Sequence, residues 1–365
     1  MLDTLGPELV IKVWNPKVSL RAYVVIDNTT LGVAKGGIRM TPHVTEEEVF
    51  RLARGMTLKN ALAELPFGGG KSGIVADPRS GNKEILIRAF ARTLRHILGK
   101  IYVAGPDMGT NQNDMAIIVD ELDDLNAVTG KPLELGGIPH DLGYTGYGVY
   151  ISAKIVLKKL GLKIEDASFS IHGFGDVGSN FARFVYENNG NIVAVADSKG
   201  VIYCKEGIDV EELIKVKEEK GSVVYYENAD ETHRNPDKLI SYEVDVLVPA
   251  SKANLVTEEN IDMVKAKVIV EGANIPLTIK AEEILWRKGV VILPDIIANA
   301  GGVIASYAEW INSTPKEAFK IVEEKIAKNA KLILNKTEEL EENPRKIAEK
   351  IALERINKIR EKRRF

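Results

Sequence analysis

Cysteine occurs once in the 365 residues, at Cys204, so no intramolecular disulfide framework holds this chain and a reducing, cytoplasmic setting suits it. No apolar run approaches the roughly 20 residues that a membrane-spanning helix needs. The start, Met1-Leu2-Asp3, lacks the basic residues and apolar block of a secretory signal. A dominant charge is missing as well. With 49 Lys and Arg against 52 Asp and Glu, the formal net charge of -3 exerts no global pull on nucleic acid or an anionic membrane, and neither partner is expected. Glutamine occurs once, at Gln112, against many Lys and Glu; that bias leans toward heat resistance, while the plentiful asparagines pull the other way. Internal repeats and low-complexity linkers are absent. What remains is 45% hydrophobic and too long for one ordinary core, which predicts two domains.

The first part reads as strand, strand, helix, strand, helix, strand. Residues 19–27 (SLRAYVVID) form a strand pattern. Thr45 can cap a helix with Glu48 as its capping-box partner, and the helix runs to about Leu65. Its apolar face carries Val49, Leu52, Ala53, Met56 and Ala63. A strand is expected over 72–76, a helix over 83–98 and a strand over 101–104. From about Gly143 the pattern becomes regular α/β alternation. Helices are predicted over 147–160 and 177–188, and strands over 167–172, 191–196, 245–248, 268–270 and 290–293. This is the pattern of a parallel, doubly wound sheet. The last fifty residues are helical and highly charged, and the closing Lys362-Arg363-Arg364 reads as a solvated helix end.

Gly173-Phe174-Gly175-Asp176-Val177-Gly178 follows one of these strands and opens a helix. In that context the glycines have separate tasks: a tight turn at Gly173, close approach of a pyrophosphate at Gly175, and helix–strand packing at Gly178. Asp197 falls nineteen residues later, at the end of the next strand, where a carboxylate accepts hydrogen bonds from adenosine ribose hydroxyls. A bare glycine turn would explain the glycines but not the placed acid. Asp197 favours NAD over NADP, and the nearby Lys199 softens that preference, so dual use stays open.

Lys59 lies seven residues after Leu52, hence about 20° from it around the helix, on the apolar face. A lysine there either snorkels to solvent or holds an anion. Gly68-Gly69-Gly70-Lys71-Ser72-Gly73 follows. Backbone without side chains lets a substrate approach Lys71 and gives the lysine little local cover, which suits a base or a water-activating group. The alternative is a flexible loop, although the segment leads straight into a strand. Asp107, just past the strand 101–104, stands where α/β sheets hold ligands, though a turn also favours Asp for its own hydrogen bonds. Lysines, one carboxylate and a nicotinamide suit hydride removal from the α-carbon of an amino acid. One lysine would fix the α-carboxylate, a second would activate water, and the aspartate would shuttle protons. A 2-hydroxy-acid dehydrogenase would share the fingerprint but needs a catalytic histidine and an arginine. A non-catalytic nucleotide sensor would have lost Lys71 or Asp107.

The segments AKGGIRM (34–40), MTLKNALAELPFGGGKSGI (56–74), VAGPDMGT (103–110), TGKP (129–132), YTGYGV (144–149), HGFGDVG (172–178), VPASKANLVTEENI (248–261), VIVEGAN (268–274) and LPDIIANAGGVIASYAEWIN (293–312) resemble the glutamate/leucine/phenylalanine/valine dehydrogenases over nearly the whole chain. The resemblance implies that Lys71 is the catalytic lysine, Asp107 the proton shuttle and Lys59 the α-carboxylate ligand. It implies Lys35 and Ser306 as ligands of a substrate side-chain carboxylate, with Gly36, Gly105 and Val303 beside them. It places Thr145 and Asn274 at the nicotinamide end, Asn299 in a cleft motif, and Phe174, Asp176, Val177, Ser198 and Ala250 with the cofactor. It also implies an N-terminal α/β catalytic and oligomerisation domain over 1–142, completed by a C-terminal helix at about 338–365, and a Rossmann domain over 143–337. A homo-oligomer, hexamer or octamer, is implied, acting on an amino acid, a 2-oxo acid and ammonia with NAD or NADP and without a metal. Lys35 and Ser306 favour glutamate. Asn28-Thr29-Thr30-Leu31-Gly32 and the short N-terminus look more like the leucine branch, and Ile138-Pro139-His140-Asp141 matches neither. A branched-chain substrate is therefore the alternative.

Overall fold

The computed structural model describes residues 3–139 and 142–362. His140, Asp141, Arg363 and Arg364, singled out above, lie outside the described residues. The chain divides into two compact units. The first comprises 1–142, 303–321 and 349–365, and the second 143–302 and 322–348.

Among the described residues, the first unit holds a five-stranded sheet in the order β1-β2-β4-β3-β5. The strands are β1 (Leu9–Asn15), β2 (Leu20–Asn28), β3 (Ala34–Thr41), β4 (Gly68–Val75) and β5 (Tyr102–Pro106). β1, β2 and β4 are antiparallel neighbours, whereas β4, β3 and β5 run parallel. The helices are α1 (Glu46–Leu62), α2 (Lys83–Thr93) and α3 (Gln112–Leu122). One strand and one helix more are present than the pattern predicted. β3 (AKGGIRMT) hides its period behind a lysine and two glycines, and α3 starts from a full capping box at Asn111 and Asp114.

The glycine run is not a loop. Gly68–Gly70 open β4, a central strand, so the expected start at Ser72 was four residues late. Bare backbone is needed because neighbours press on it: a side chain at Gly69 would run into Thr57 of α1, and one at Gly70 would stand 2.9 Å from the Tyr102 ring. Thr45 caps α1 by accepting from the Glu48 N–H at 3.2 Å, but the Glu48 carboxylate does not complete the box. It takes the Arg39 guanidinium at 2.7 Å instead, a stronger, charge-assisted partner. α1 ends at Leu62 and not at about Leu65, and α2 ends at Thr93 and not at Leu98.

The second unit holds, among the described residues, a seven-stranded sheet in the order β12-β11-β10-β6-β7-β8-β9. Its strands are β6 (Ser168–His172), β7 (Asn191–Asp197), β8 (Gly200–Tyr203), β9 (Glu231–His233), β10 (Val246–Pro249), β11 (Val268–Val270) and β12 (Val291–Leu293). β12, β11, β10, β6 and β7 are parallel, while β8 and β9 extend the edge antiparallel. The chain leaves β6 for β7 on one side and later returns to β10 on the other, which puts a switch point at the carboxyl end of β6. The helices are α4 (Tyr144–Lys159), α5 (Asp176–Glu187), α6 (Val210–Lys220), α7 (Ile279–Arg287), α8 (Asp295–Ala298) and, crossing into the first unit's segments, α9 (Gly301–Trp310). α10 (Pro315–Leu340) and α11 (Pro344–Lys362) close the chain. The terminal segment of the first unit starts at Glu349, later than the expected 338. Residues before it stay with the second unit because Arg345 is held there by Glu271, Glu282 and Asp295, at 2.6, 2.6 and 2.7 Å.

Candidate functional site

In the first unit the side chains of interest come from the neighbouring strands β4 and β3 and from the turn that follows β5. Lys71 on β4 is ion-paired with Oδ2 of Asp107, which stands just past β5. Arg39 on β3, the strand between them, donates from Nε to Oδ1 of the same carboxylate at 3.0 Å. The Met108 N–H adds a donor at 2.6 Å, and Thr110 ties the Asp107 N–H to the β3 backbone. Burial alone would raise the Asp107 pKa. Lys71 and Arg39 outweigh it and hold the carboxyl well below the usual range.

Lys35, on β3, is 3% exposed and donates to the Ala104 carbonyl at 3.2 Å. Burial lowers its pKa to about 7; Glu309 opposes that shift, while Lys71 and Lys131 push it further. Gly105 leaves the room that the ammonium occupies, and Gly36 lies where any side chain would strike the Gly70 carbonyl. Ser306 on α9 is buried, with Val303 half-buried one turn before it on the same face. One turn after Ser306 comes Glu309. Its carboxylate takes the Lys131 ammonium at 2.5 Å and the N–H groups of Gly130 and Ile138 at 2.8 Å each. Thr129, in the same loop, donates its N–H to Ala104. Glu309 thereby fixes the Ser306 helix to the loop that adjoins Lys35. Lys59 is half-buried in the last turn of α1, one turn beyond Met56.

In the second unit the candidate cofactor residues gather at the carboxyl ends of β6, β7, β10 and β11. Gly173 has φ +108°, and a side chain there would collide with Ser251. Gly178 packs on the Gly173 carbonyl, and nothing crowds Gly175. α5 starts at Asp176 with no side-chain cap, which leaves its first N–H groups available to a pyrophosphate. Phe174 is buried, whereas Val177 is half-buried. The Ala250 N–H bonds the His172 carbonyl at 2.8 Å, joining β10 to β6. Asn299 donates to Asn274 at 3.1 Å, so these two side chains are brought together. Thr145 is the second residue of α4 and is half-buried.

Asp197, the expected ribose ligand, ends β7 with its carboxylate engaged by neighbouring residues. Each of its oxygens already accepts two hydrogen bonds: Oδ1 from the Lys199 N–H (2.9 Å) and Ser222 (3.0 Å), Oδ2 from Lys217 (2.6 Å) and the Val223 N–H (2.9 Å). Ser198 and Lys199, which follow it, are exposed.

Comparison with known proteins adds a family to this geometry. The family described as "Glu/Leu/Phe/Val dehydrogenase, dimerisation domain" matches residues 11–124, and "Glutamate/Leucine/Phenylalanine/Valine dehydrogenase" matches residues 136–364. The chain belongs to the glutamate/leucine/phenylalanine/valine dehydrogenase family. It is 41% identical over 349 residues to a glutamate dehydrogenase of Aeropyrum pernix, covering 90% of this chain and 83% of that protein. It is 39% identical to an NADP-specific glutamate dehydrogenase of Saccharolobus shibatae, covering 90% and 82%. Among solved structures, a hetero-hexameric, leucine-bound glutamate dehydrogenase of Thermus thermophilus superposes with a TM-score of 0.88 at 31% identity, covering 97% of this chain and 89% of that one.

Within this dehydrogenase, three features escaped sequence reasoning. Arg39 was part of a quoted motif but carried no separate signal, because a strand arginine is usually a surface residue. Glu309 and Lys131 lie 178 residues apart, and only the fold makes them a buried pair. His172 ends β6 with Nδ1 2.7 Å from the Ser251 hydroxyl and Nε2 3.1 Å from Asp237.

Proposed function

We propose that the protein catalyses the reversible oxidative deamination of an L-amino acid with NAD or NADP, and that glutamate, giving 2-oxoglutarate and ammonia, is its preferred substrate. The observation that carries the substrate is Lys35. Among the described residues its hydrogen-bond acceptor is one neutral carbonyl, that of Ala104. A buried ammonium is costly to keep without an anion, and a γ-carboxylate supplies one, with the Ser306 hydroxyl as a second donor. A branched aliphatic side chain would supply nothing.

Lys59 is the proposed ligand of the α-carboxylate. A nicotinamide held beside the substrate would supply the acceptor for the α-hydrogen as hydride. Lys71 then holds and activates the water that attacks the substrate iminium. Asp107 takes the proton from that water and returns it to the leaving amine. Asp107 is too weak a base while Lys71 and Arg39 both neutralise it. Substrate must therefore draw Lys71 away, and Arg39 keeps the carboxylate aimed meanwhile. Gly175 and the uncapped start of α5 are the proposed pyrophosphate seat, with Asn274 and Asn299 as a bonded pair toward the nicotinamide.

A homo-oligomer is proposed, a hexamer first. No described helix is long and apolar enough to cross a membrane; with the lone, buried Cys204 a cytoplasmic setting is proposed. The test of the reaction is ammonium dependence. NAD(P)H oxidation with a 2-oxo acid should require ammonium, and turnover without it would overturn the reading.

A further inference from the structure

The end of β7 is where a dinucleotide-binding sheet discriminates a plain ribose from a phosphorylated one, and here the discriminating acid is already engaged. Asp197 has a side chain only 4% exposed, and both its oxygens hold two internal donors. A carboxylate offers about four acceptor sites, so none is left for ribose hydroxyls. Its charge is met as well. The Lys217 ammonium approaches to 2.6 Å from the last turn of α6 and also reaches the Gly221 carbonyl at 3.3 Å. We infer that Lys217, by engaging Asp197, makes this site accept a dinucleotide carrying a 2′-phosphate, NADP(H), at least as readily as NAD(H).

The inference rests on the dinucleotide-dependent reading above and names the cofactor class within it. The surroundings favour a phosphate. Lys217 keeps 29% of its side chain exposed, so it stands at the rim of the protein and not in its core. Lys199, two residues past the aspartate, holds its ammonium 5.6 Å from the Tyr225 ring centroid, beside the loop that contributes Ser222 and Val223. Two lysines against one aspartate leave this corner net positive. The exposed Ser198 lies between Asp197 and Lys199 in sequence and adds a hydroxyl. A phosphate dianion arriving here meets ammonium groups and a spent carboxylate, where an unengaged aspartate would have repelled it.

The experiment is fluorescence titration of the full-length protein with NADH and NADPH. The wild type should bind NADPH at least as tightly as NADH. Lys217→Met frees the carboxylate and should move the affinity ratio about tenfold against NADPH, which corresponds to about 1.4 kcal/mol. A merely structural lysine would weaken both ligands alike. Should that variant fail to fold, Asp197→Asn decides. A ratio changed less than about threefold supports the inference; NADH affinity lost about tenfold relative to NADPH makes Asp197 a ribose ligand and overturns it. A wild type that prefers NADH more than tenfold, or a Lys217→Met variant with an unmoved ratio, also overturns it. A wild type that binds neither dinucleotide defeats the dehydrogenase reading and this inference together.

Discussion

The Lys35 ammonium lies 2.9 Å from the point at which a β-carbon on Gly105 would stand. Glycine at 105 thus keeps space for a buried cation whose pKa burial has lowered to about 7. The pH dependence of substrate binding follows. Below pH 7 Lys35 already carries its proton, and a carboxylate binds without proton uptake. Above pH 7 each binding event must draw a proton onto Lys35, so affinity for a dicarboxylate should fall by up to about tenfold per pH unit. Calorimetry with glutarate, in buffers of different ionisation enthalpy between pH 6.5 and 8.5, reads both the affinity and the proton. Lys35→Met should remove the uptake. A flat wild-type profile would contradict the assignment of Lys35.

Asp107 faces two cations, and they should separate under mutation. Lys71→Ala should leave the fold intact and remove about 10²–10⁴-fold of turnover, the usual worth of acid–base or water activation. Arg39→Met should retain more activity but move the acid limb of kcat/KM to higher pH, because one of the two charges that depress Asp107 is gone. An unshifted limb in a folded Arg39→Met variant would make Arg39 a scaffold for Glu48 and not for Asp107.

Arg345 sustains three carboxylates, those of Glu271, Glu282 and Asp295. Removing a partner from a buried ionic cluster costs roughly 3–5 kcal/mol, so Arg345→Met should lower the denaturation midpoint markedly. Burial, only partly offset by Arg345, holds the pKa of Glu271 and of Glu282 above the ordinary 4.5. The folded state therefore binds more protons than the unfolded state above that value, and their contribution to stability declines as pH rises through the raised pKa values. The variant should regain part of its loss as pH is lowered toward 5. Equal stability of variant and wild type at pH 8 would show that the cluster is not structural.

The five parallel strands after Gly143 were legible as short apolar runs, and the strand over 268–270 was placed to the residue, whereas β8, a hairpin partner of β7, and the polar, exposed β9 were not. β3 and the start of β4 were not legible. Their glycines are present so that α1, Tyr102 and Asp107 can press against the sheet, and no local pattern announces a neighbour of that kind. Lys71 and Asp107 could be proposed from their glycine-rich flanks, yet Arg39 needed the register of β3 between β4 and β5. Asp197 was located correctly in sequence, but its role was read without Lys217 and Ser222, twenty and twenty-five residues further on. Sequence spacing shows where a carboxylate stands but not how many donors the fold has already turned toward it.

If Lys35 and Ser306 make this a glutamate site, substrate preference must show it. The measurement is kcat/KM for glutamate, leucine and valine, in the wild type and in the double variant Lys35→Leu with Ser306→Val. The wild type should prefer glutamate. The variant should lose roughly 2–5 kcal/mol of glutamate recognition, the scale for breaking a buried charge pair, while activity on the aliphatic amino acids rises. A wild type that oxidises leucine well and ignores glutamate would contradict the glutamate assignment.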